Sequence, residues 1–226
     1  MSNKAVICVA IDGPAASGKS TVARGAAKGL HFNYVDSGSF YRGLTWKCLR
    51  DSVDTGRTDL VVALLARAQW ELSLRDGQIV FAIDGDEPGE QLRSKPVQER
   101  VSDIAAIPEV RNFLVGKLRE TARFGSLVME GRDIGTVVFP DTPHKFYLDA
   151  HPEERARRRY KELAGSGAYD DAHQVMTSLQ KRDHKDSTRK TAPLQIALGA
   201  KVIDSTGMDA TAVIDAVIRQ VAAARP

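Results

Sequence analysis

Apolar positions gather in short runs separated by longer stretches of mixed pattern. The segments AVICVAID (5–12), FNYVD (32–36), SLVME (126–130), KFYLD (145–149) and KVIDS (201–205) read as strands. Between and after them, apolar residues recur at helical spacing. This predicts helices over 19–30, from 40 to about 50, from 110 to about 123, and over DATAVIDAVIRQVAA at 209–223. Alternation of strand and helix argues for an α/β fold built on a mostly parallel sheet. Two stretches break the rhythm. WELSLRD (70–76) and IVFAID (79–84) meet at Asp76–Gly77, a hairpin signal inside a long insertion. Residues 151–190 carry ten Lys/Arg and seven Asp/Glu with few apolar residues, which suits a solvated helical pair or a lid over an anion.

Composition narrows the class. The chain has 226 residues, enough for one sizeable core with insertions, and its net charge is +3. That modest excess of base suits an anionic ligand. No basic tract is interleaved with aromatics, so no nucleic-acid partner is expected. No apolar stretch approaches the ~18 residues of a membrane span, so no membrane partner is expected either. Cys8 and Cys48 have no metal-ligand spacing and read as reduced thiols, which points to the cytoplasm. The five histidines are scattered.

The chemistry starts at IDGPAASGKST (11–21). Gly13, Gly18, Lys19 and Ser20 match G-x-x-x-x-G-K-[ST], directly after a strand and at the start of a helix. Backbone amides of such a turn point inward, and the helix N-terminus adds its positive end. Gly13, Pro14, Ala15, Ala16, Ser17, Gly18, Lys19, Ser20 and Thr21 therefore form the expected ATP cradle. Lys19 brings a point charge to the terminal phosphates. Ser20 offers a hydroxyl to Mg²⁺, with Asp12 as a carboxylate one step behind. ATPases, GTPases and kinases share this cradle. A guanine-reading N-K-x-D motif is missing late in the chain, where Asn3–Lys4 is the one Asn–Lys pair and precedes the first strand.

A second anion site is written at other strand ends. DSGSFYR places Asp36, Ser37, Gly38, Tyr41 and Arg42 after the second strand; EGRDIGT places Arg132 and Asp133 after the third. Ligands of open parallel sheets sit outside these carboxyl ends. A surface arginine pair contributes only ~0–1 kcal/mol, and that plain reading fits Arg111 and Arg189 taken singly. Arginine forks at two strand ends suit an acceptor that itself carries phosphate. A phosphate monoester has a second pKa near ~6, so it needs no general base. Asp36 is the one carboxylate placed to act as a base, which keeps a hydroxyl acceptor of the shikimate type open, alongside UMP and an acceptor-free ATPase.

These segments together resemble the bacterial cytidylate kinase family. VSDIAAIPEVR, YLDAHPEERARRR, KRDHKDSTRKTAPL and VIDST extend the likeness end to end, and GRDIGTVVFP is its most specific run. The resemblance implies a P-loop NTPase-type three-layer fold with a five-stranded parallel sheet. Residues 1–42, 101–150 and 187–226 would form the core. Residues 43–100 would be a monophosphate-binding insertion with a small antiparallel β-sheet, and 151–186 an Arg-rich helical lid. It implies transfer of the γ-phosphate of Mg-ATP to CMP or dCMP by a monomer. Ser37, Arg42, Arg132 and Asp133 fall on positions that hold the monophosphate, and Asp133 with Ser102 on those that read the cytosine edge. Arg111 falls on the base side; Asp186 and Arg189 fall on positions contacting ribose and phosphate. Phe40 departs from the small or Met residue common there.

In the lid, Arg155, Arg158 and Arg159 share one helical face. Arg155 and Arg159 are expected to swing onto the ATP phosphates as arginine fingers, Arg158 to pair with Glu154, and Arg157 to be solvated. Lys19, Arg132, Arg155 and Arg159 are thus the expected catalytic set.

Overall fold

The structure is a computed structural model that describes residues 6–163 and 171–224. Asn3–Lys4 and positions 164–170 of the expected lid lie outside the described residues. Five core strands run parallel: β1 (Cys8–Asp12), β2 (Asn33–Asp36), β5 (Leu127–Gly131), β6 (His144–Asp149) and β7 (Lys201–Asp204), in the order β2-β5-β1-β6-β7. Alternation within these strands feeds two cores. Ala10, Val35, Leu127 and Met129 face one side of the sheet, and Val9, Ile11, Tyr34, Val128, Phe146 and Leu148 the other.

Against the second face pack α1 (Lys19–Leu30) and α8 (Ala210–Ala223). Against the first pack α2 (Ser37–Arg50), α3 (Thr58–Arg67), α4 (Lys95–Ile104) and α5 (Pro108–Glu120), giving the three layers. Helix α2 starts three residues before the pattern predicts, because Asp36 caps it by accepting from the Ser39 N–H at 3.0 Å. Helices α3 and α4 fill parts of the insertion that the pattern reading left unassigned. In α4, Val97, Val101 and Ile104 repeat at helical spacing and are buried. The charged stretch forms α6 (Pro152–Leu163) and α7 (Ala172–Thr188).

The hairpin β3 (Trp70–Arg75) and β4 (Gln78–Ile83) lies where expected, yet it is no separate small sheet. Strand β4 joins the main sheet parallel to β2 through Tyr34 and Gln78, making seven strands in the order β3-β4-β2-β5-β1-β6-β7, with β3 the antiparallel one. The Tyr34 N–H donates to the Gly77 carbonyl at 2.7 Å, so the turn itself makes the seam. Aromatic packing then fixes the hairpin onto α2. The fully buried Phe40 lies 4.9 Å from the Phe81 ring, and Trp70 lies 5.1 Å from Phe81. Gly43 permits this approach: a Cβ there would sit 2.5 Å from Phe81. The Phe40 departure thus anchors the insertion.

Candidate active site

The phosphate cradle is built at the carboxyl end of β1. Gly13 has φ 151°, and a Cβ on it would lie 2.0 Å from the Leu148 carbonyl oxygen, so glycine is required there. Lys19 is buried; its Nζ donates to the Pro14 carbonyl at 2.5 Å and to Ser17 Oγ at 3.3 Å. Burial, then the neighbouring Arg132, pull its pKa down to about 7. The carboxylates of Glu130 and Asp12 offset this only in part. Ser20 and Thr21 are exposed at the start of α1, and the Ser20 side chain hydrogen-bonds Glu130 on β5. Glu130 is buried, accepts from the Tyr34 hydroxyl at 2.8 Å, and has its pKa raised by burial. The sequence reading missed it, although it ends the strand beside β1.

Asp12 turns away from that pair. Its two oxygens accept from the Ile134 and Gly135 amides, each at 2.8 Å. These amides open a π-helical turn, Ile134–Val138, whose far carbonyls accept from Arg119: Val137 at 2.7 Å and Val138 at 2.8 Å. Burial raises the Asp12 pKa to about 6. Asp12 therefore fastens the loop that carries Arg132 and Asp133. Asp12→Ala is expected to leave two buried amides unpaired and to cost about 2–4 kcal/mol in urea unfolding.

On the acceptor side, the arginines form one connected network. Arg42 pairs with Asp36 at 2.6 Å beside Gly38, and Ser37 donates to the Glu130 carbonyl at 2.6 Å. Arg132 Nε donates to Asp186 at 2.9 Å. Arg189 stands 3.7 Å from both Asp186 and Asp133. Arg111 pairs with the buried Asp133, donates to the Ala105 carbonyl at 3.0 Å, and lies over the Tyr41 ring at 5.2 Å. Ser102 is half-buried on α4. Several buried donors in this network have no hydrogen-bond partner in the protein: Tyr41 Oη, the Nε atoms of Arg42, Arg111 and Arg182, and Arg189 Nη2. Buried donors of this kind are completed by water or by a ligand. A cavity of about 670 Å³ opens beside Asp36, Ser39 and Arg42 and is also lined by Arg24 and Arg93.

Arg182 was missed in the sequence. Burial, then Arg132, pull its pKa down to about 10, and Asp186 and Arg42 are among its charged neighbours. Its signal is spacing: Arg182 and Asp186 stand one turn apart on α7.

The four arginines of α6 are all engaged by protein groups. Arg157 and Arg158 both pair with Glu154, and Arg158 also donates to the Ser205 carbonyl at 2.7 Å and the Ser17 carbonyl at 3.4 Å. Arg159 pairs with Glu162 at 3.0 Å and with Gln98 of α4. Arg155 pairs with Asp183 and donates to the Ala15 carbonyl of the cradle at 3.2 Å. Of the two expected fingers, Arg155 reaches the cradle and Arg159 reaches the insertion.

The chain is similar to known proteins along almost its whole length. The family model described as cytidylate kinase matches residues 9–223. A cytidylate kinase of Caldanaerobacter subterraneus subsp. tengcongensis is 44% identical over 92% of this chain and 92% of its own. One from Pelotomaculum thermopropionicum is 43% identical over 96% of both, and one from Mycobacterium leprae 41% over 92% of both. A solved structure of an uncharacterized protein from Eubacterium ventriosum covers 97% of this chain and 99% of its own with TM-score 0.55 at 13% identity, a likeness of fold alone.

Proposed function

The chain belongs to the cytidylate kinase family, and from that premise we propose how its residues divide the transfer of the γ-phosphate of ATP to CMP or dCMP. One observation carries the division: two anion pockets meet at the ends of β1, β2 and β5, and the second is lined by buried donors without protein partners. Gly13–Thr21 hold the ATP phosphates. Lys19 and Arg132, which are close enough for the arginine to depress the lysine pKa, flank the transferring group. Ser37, Gly38, Tyr41, Arg42, Arg132 and Arg182 hold the acceptor phosphate. Asp186 serves its sugar hydroxyls, and Arg189 serves both sugar and phosphate. Ser102, Arg111 and Asp133 read the base, with the carboxylate accepting from the cytosine amino group.

Asp36 caps α2 and pairs with Arg42, so it is not placed as a general base. An ionised acceptor phosphate needs none. Its oxygen forms a bond to the γ-phosphorus as the bond to the β-phosphate oxygen breaks, and ADP leaves with that electron pair. Catalysis is then positioning and charge neutralisation. Mg²⁺ bound with ATP neutralises charge on the phosphates. Ser20, backed by Glu130, is the pair whose hydroxyl and carboxylate oxygens suit it. We assign the protein to the cytoplasm as a monomer without nucleic-acid or membrane partners, in keeping with the free thiols Cys8 and Cys48 and the modest charge. Among the described residues no helix is long and apolar enough to cross a membrane.

The test is ADP formation from Mg-ATP with CMP, dCMP, UMP, AMP, GMP or shikimate present, or with none. Turnover confined to CMP and dCMP is expected. Acceptor-independent phosphate release would sink the reading. Asp133→Asn is expected to lower kcat/KM for CMP by about 100-fold and to narrow the gap to UMP, because an amide can donate where the carboxylate accepted.

A further inference from the structure

Ala15, at the apex of the cradle, is gripped on both sides of its peptide by the two lid helices. Its N–H donates to Asp183 Oδ1 at 3.0 Å, and its carbonyl accepts from Arg155 Nη1 at 3.2 Å. Arg155 Nη1 also donates to Asp183 Oδ2, which closes a ring of hydrogen bonds around one residue. Arg155 Nε donates to the Ala150 carbonyl at 3.0 Å, tying α6 to the end of β6. Apolar packing repeats the contact. Ala15 is buried in a small cluster with Ala156 of α6 and Val175 and Leu179 of α7, and Ala16 and Met176 pack against it. Ala16 has φ 59°, a left-handed conformation that costs an L-residue ~1–2 kcal/mol and persists when its surroundings hold it. The shape of the cradle therefore depends on where α6 and α7 sit.

We propose that Asp183 is a positioning residue which, through Ala15 and Arg155, ties the phosphate-binding shape of the cradle to closure of the lid. This changes the task of Arg155: it shapes the loop with Asp183 in place of pressing on the phosphates by itself. The position of Asp183 on α7 suits the role. It stands one residue after Arg182 and one turn before Asp186, so the helix that orders the ATP loop also carries acceptor-side groups. A lid that closes over the acceptor thereby sets the donor loop. The inference rests on reading Gly13–Thr21 as the ATP site.

The decisive experiment is a double-mutant cycle on affinity, using calorimetric titration of the full chain with Mg-ATP alone and with CMP alone. Asp183→Ala and Arg155→Ala are each expected to weaken Mg-ATP about tenfold, and the double variant to bind no more than about twofold worse than the weaker single. CMP affinity is expected to stay within about twofold, and the Ala15 amide to exchange faster. Additive losses, about 100-fold in the double variant, would mean that Arg155 acts on ATP independently and would overturn the proposal. Equal losses for ATP and CMP, or none for ATP, would also overturn it. If Asp183→Ala does not fold, Asp183→Asn decides the matter, since its Oδ1 keeps the Ala15 bond and its amide opposes Arg155. An ATP loss of about threefold supports the ring, and an unchanged affinity removes it. Because these titrations use no phosphoryl transfer, an inactive wild type would refute the CMP reading without touching this one.

Discussion

Lys19→Met is expected to lower kcat with Mg-ATP and CMP by about a thousandfold, while CMP affinity changes by less than about threefold. Lys19 is buried at the start of α1, and its ammonium group is held by the Pro14 carbonyl and Ser17 Oγ. Methionine keeps the stem and removes the charge. In a site that excludes water, that charge is worth far more to a developing negative charge than it would be in solvent. The same variant is expected to be more stable than the wild type. Burial holds the lysine pKa in the folded state at about 7, below its ordinary value, so carrying the charge near neutrality works against folding. The sign can be checked by pH. Between about 7 and the ordinary lysine range the unfolded chain binds the extra proton, so this group makes wild-type stability rise with pH. The Tm advantage of Lys19→Met should therefore shrink as pH goes from 7 to 10. Loss of activity with a gain in Tm separates a functional charge from a folding defect. Turnover within tenfold of wild type would remove Lys19 from the catalytic set.

Much of the architecture was legible because it is written in local pattern. The five parallel strands, α1 and α8 follow from apolar runs and helical spacing, and the cradle follows from glycines whose positions are fixed by backbone geometry. What sequence alone did not give is decided by partners far apart in the chain. Nothing near 70–84 says that β4 will borrow an edge of β2, since the seam depends on Tyr34 meeting Gly77 and on Phe40 meeting Phe81. The arginines show the same limit. Charge spacing put Arg155, Arg158 and Arg159 on one face, yet each chose a partner on a different element: Asp183 on α7, Ser205 after β7, and Gln98 on α4. Arg182 and Glu130 escaped notice because a charged residue in a charged stretch, or at a strand end, looks solvated until the fold buries it.

Arg132→Met is expected to lower kcat/KM for CMP by about a thousandfold or more, the second of the two largest effects. Arg132 stands between the pockets. Its Nε is taken by Asp186 at 2.9 Å, which orients the fork, and its charge is felt by both Lys19 and Arg182. Burial opposes the charge, but Asp186, Asp183 and Glu130 together outweigh it and the guanidinium pKa is raised, so the group is cationic throughout the working range. On the proposed division of the site, a cation so placed would face donor and acceptor phosphates at once and offset their mutual repulsion before the in-line geometry is reached. Arg132→Lys should recover little, because a point charge that pairs with Asp186 has no second planar donor left for phosphate. Removing Arg132 also removes a positive neighbour of Lys19, so the Lys19 pKa should move back up in the variant; an alkaline limb in the pH profile of kcat/KM for ATP would shift the same way. The measurement is steady-state ADP formation at saturating ATP with CMP varied, for wild type, Arg132→Met and Arg132→Lys, and with ATP varied at saturating CMP for the pH profile. If Arg132→Lys retained most of the activity, the fork geometry would be irrelevant and simple charge would suffice. If Arg132→Met lost less than tenfold, the acceptor phosphate would have to be held by Arg42, Arg182 and Arg189 alone, and the pairing with Asp186 would be a structural tie between the β5 loop and α7.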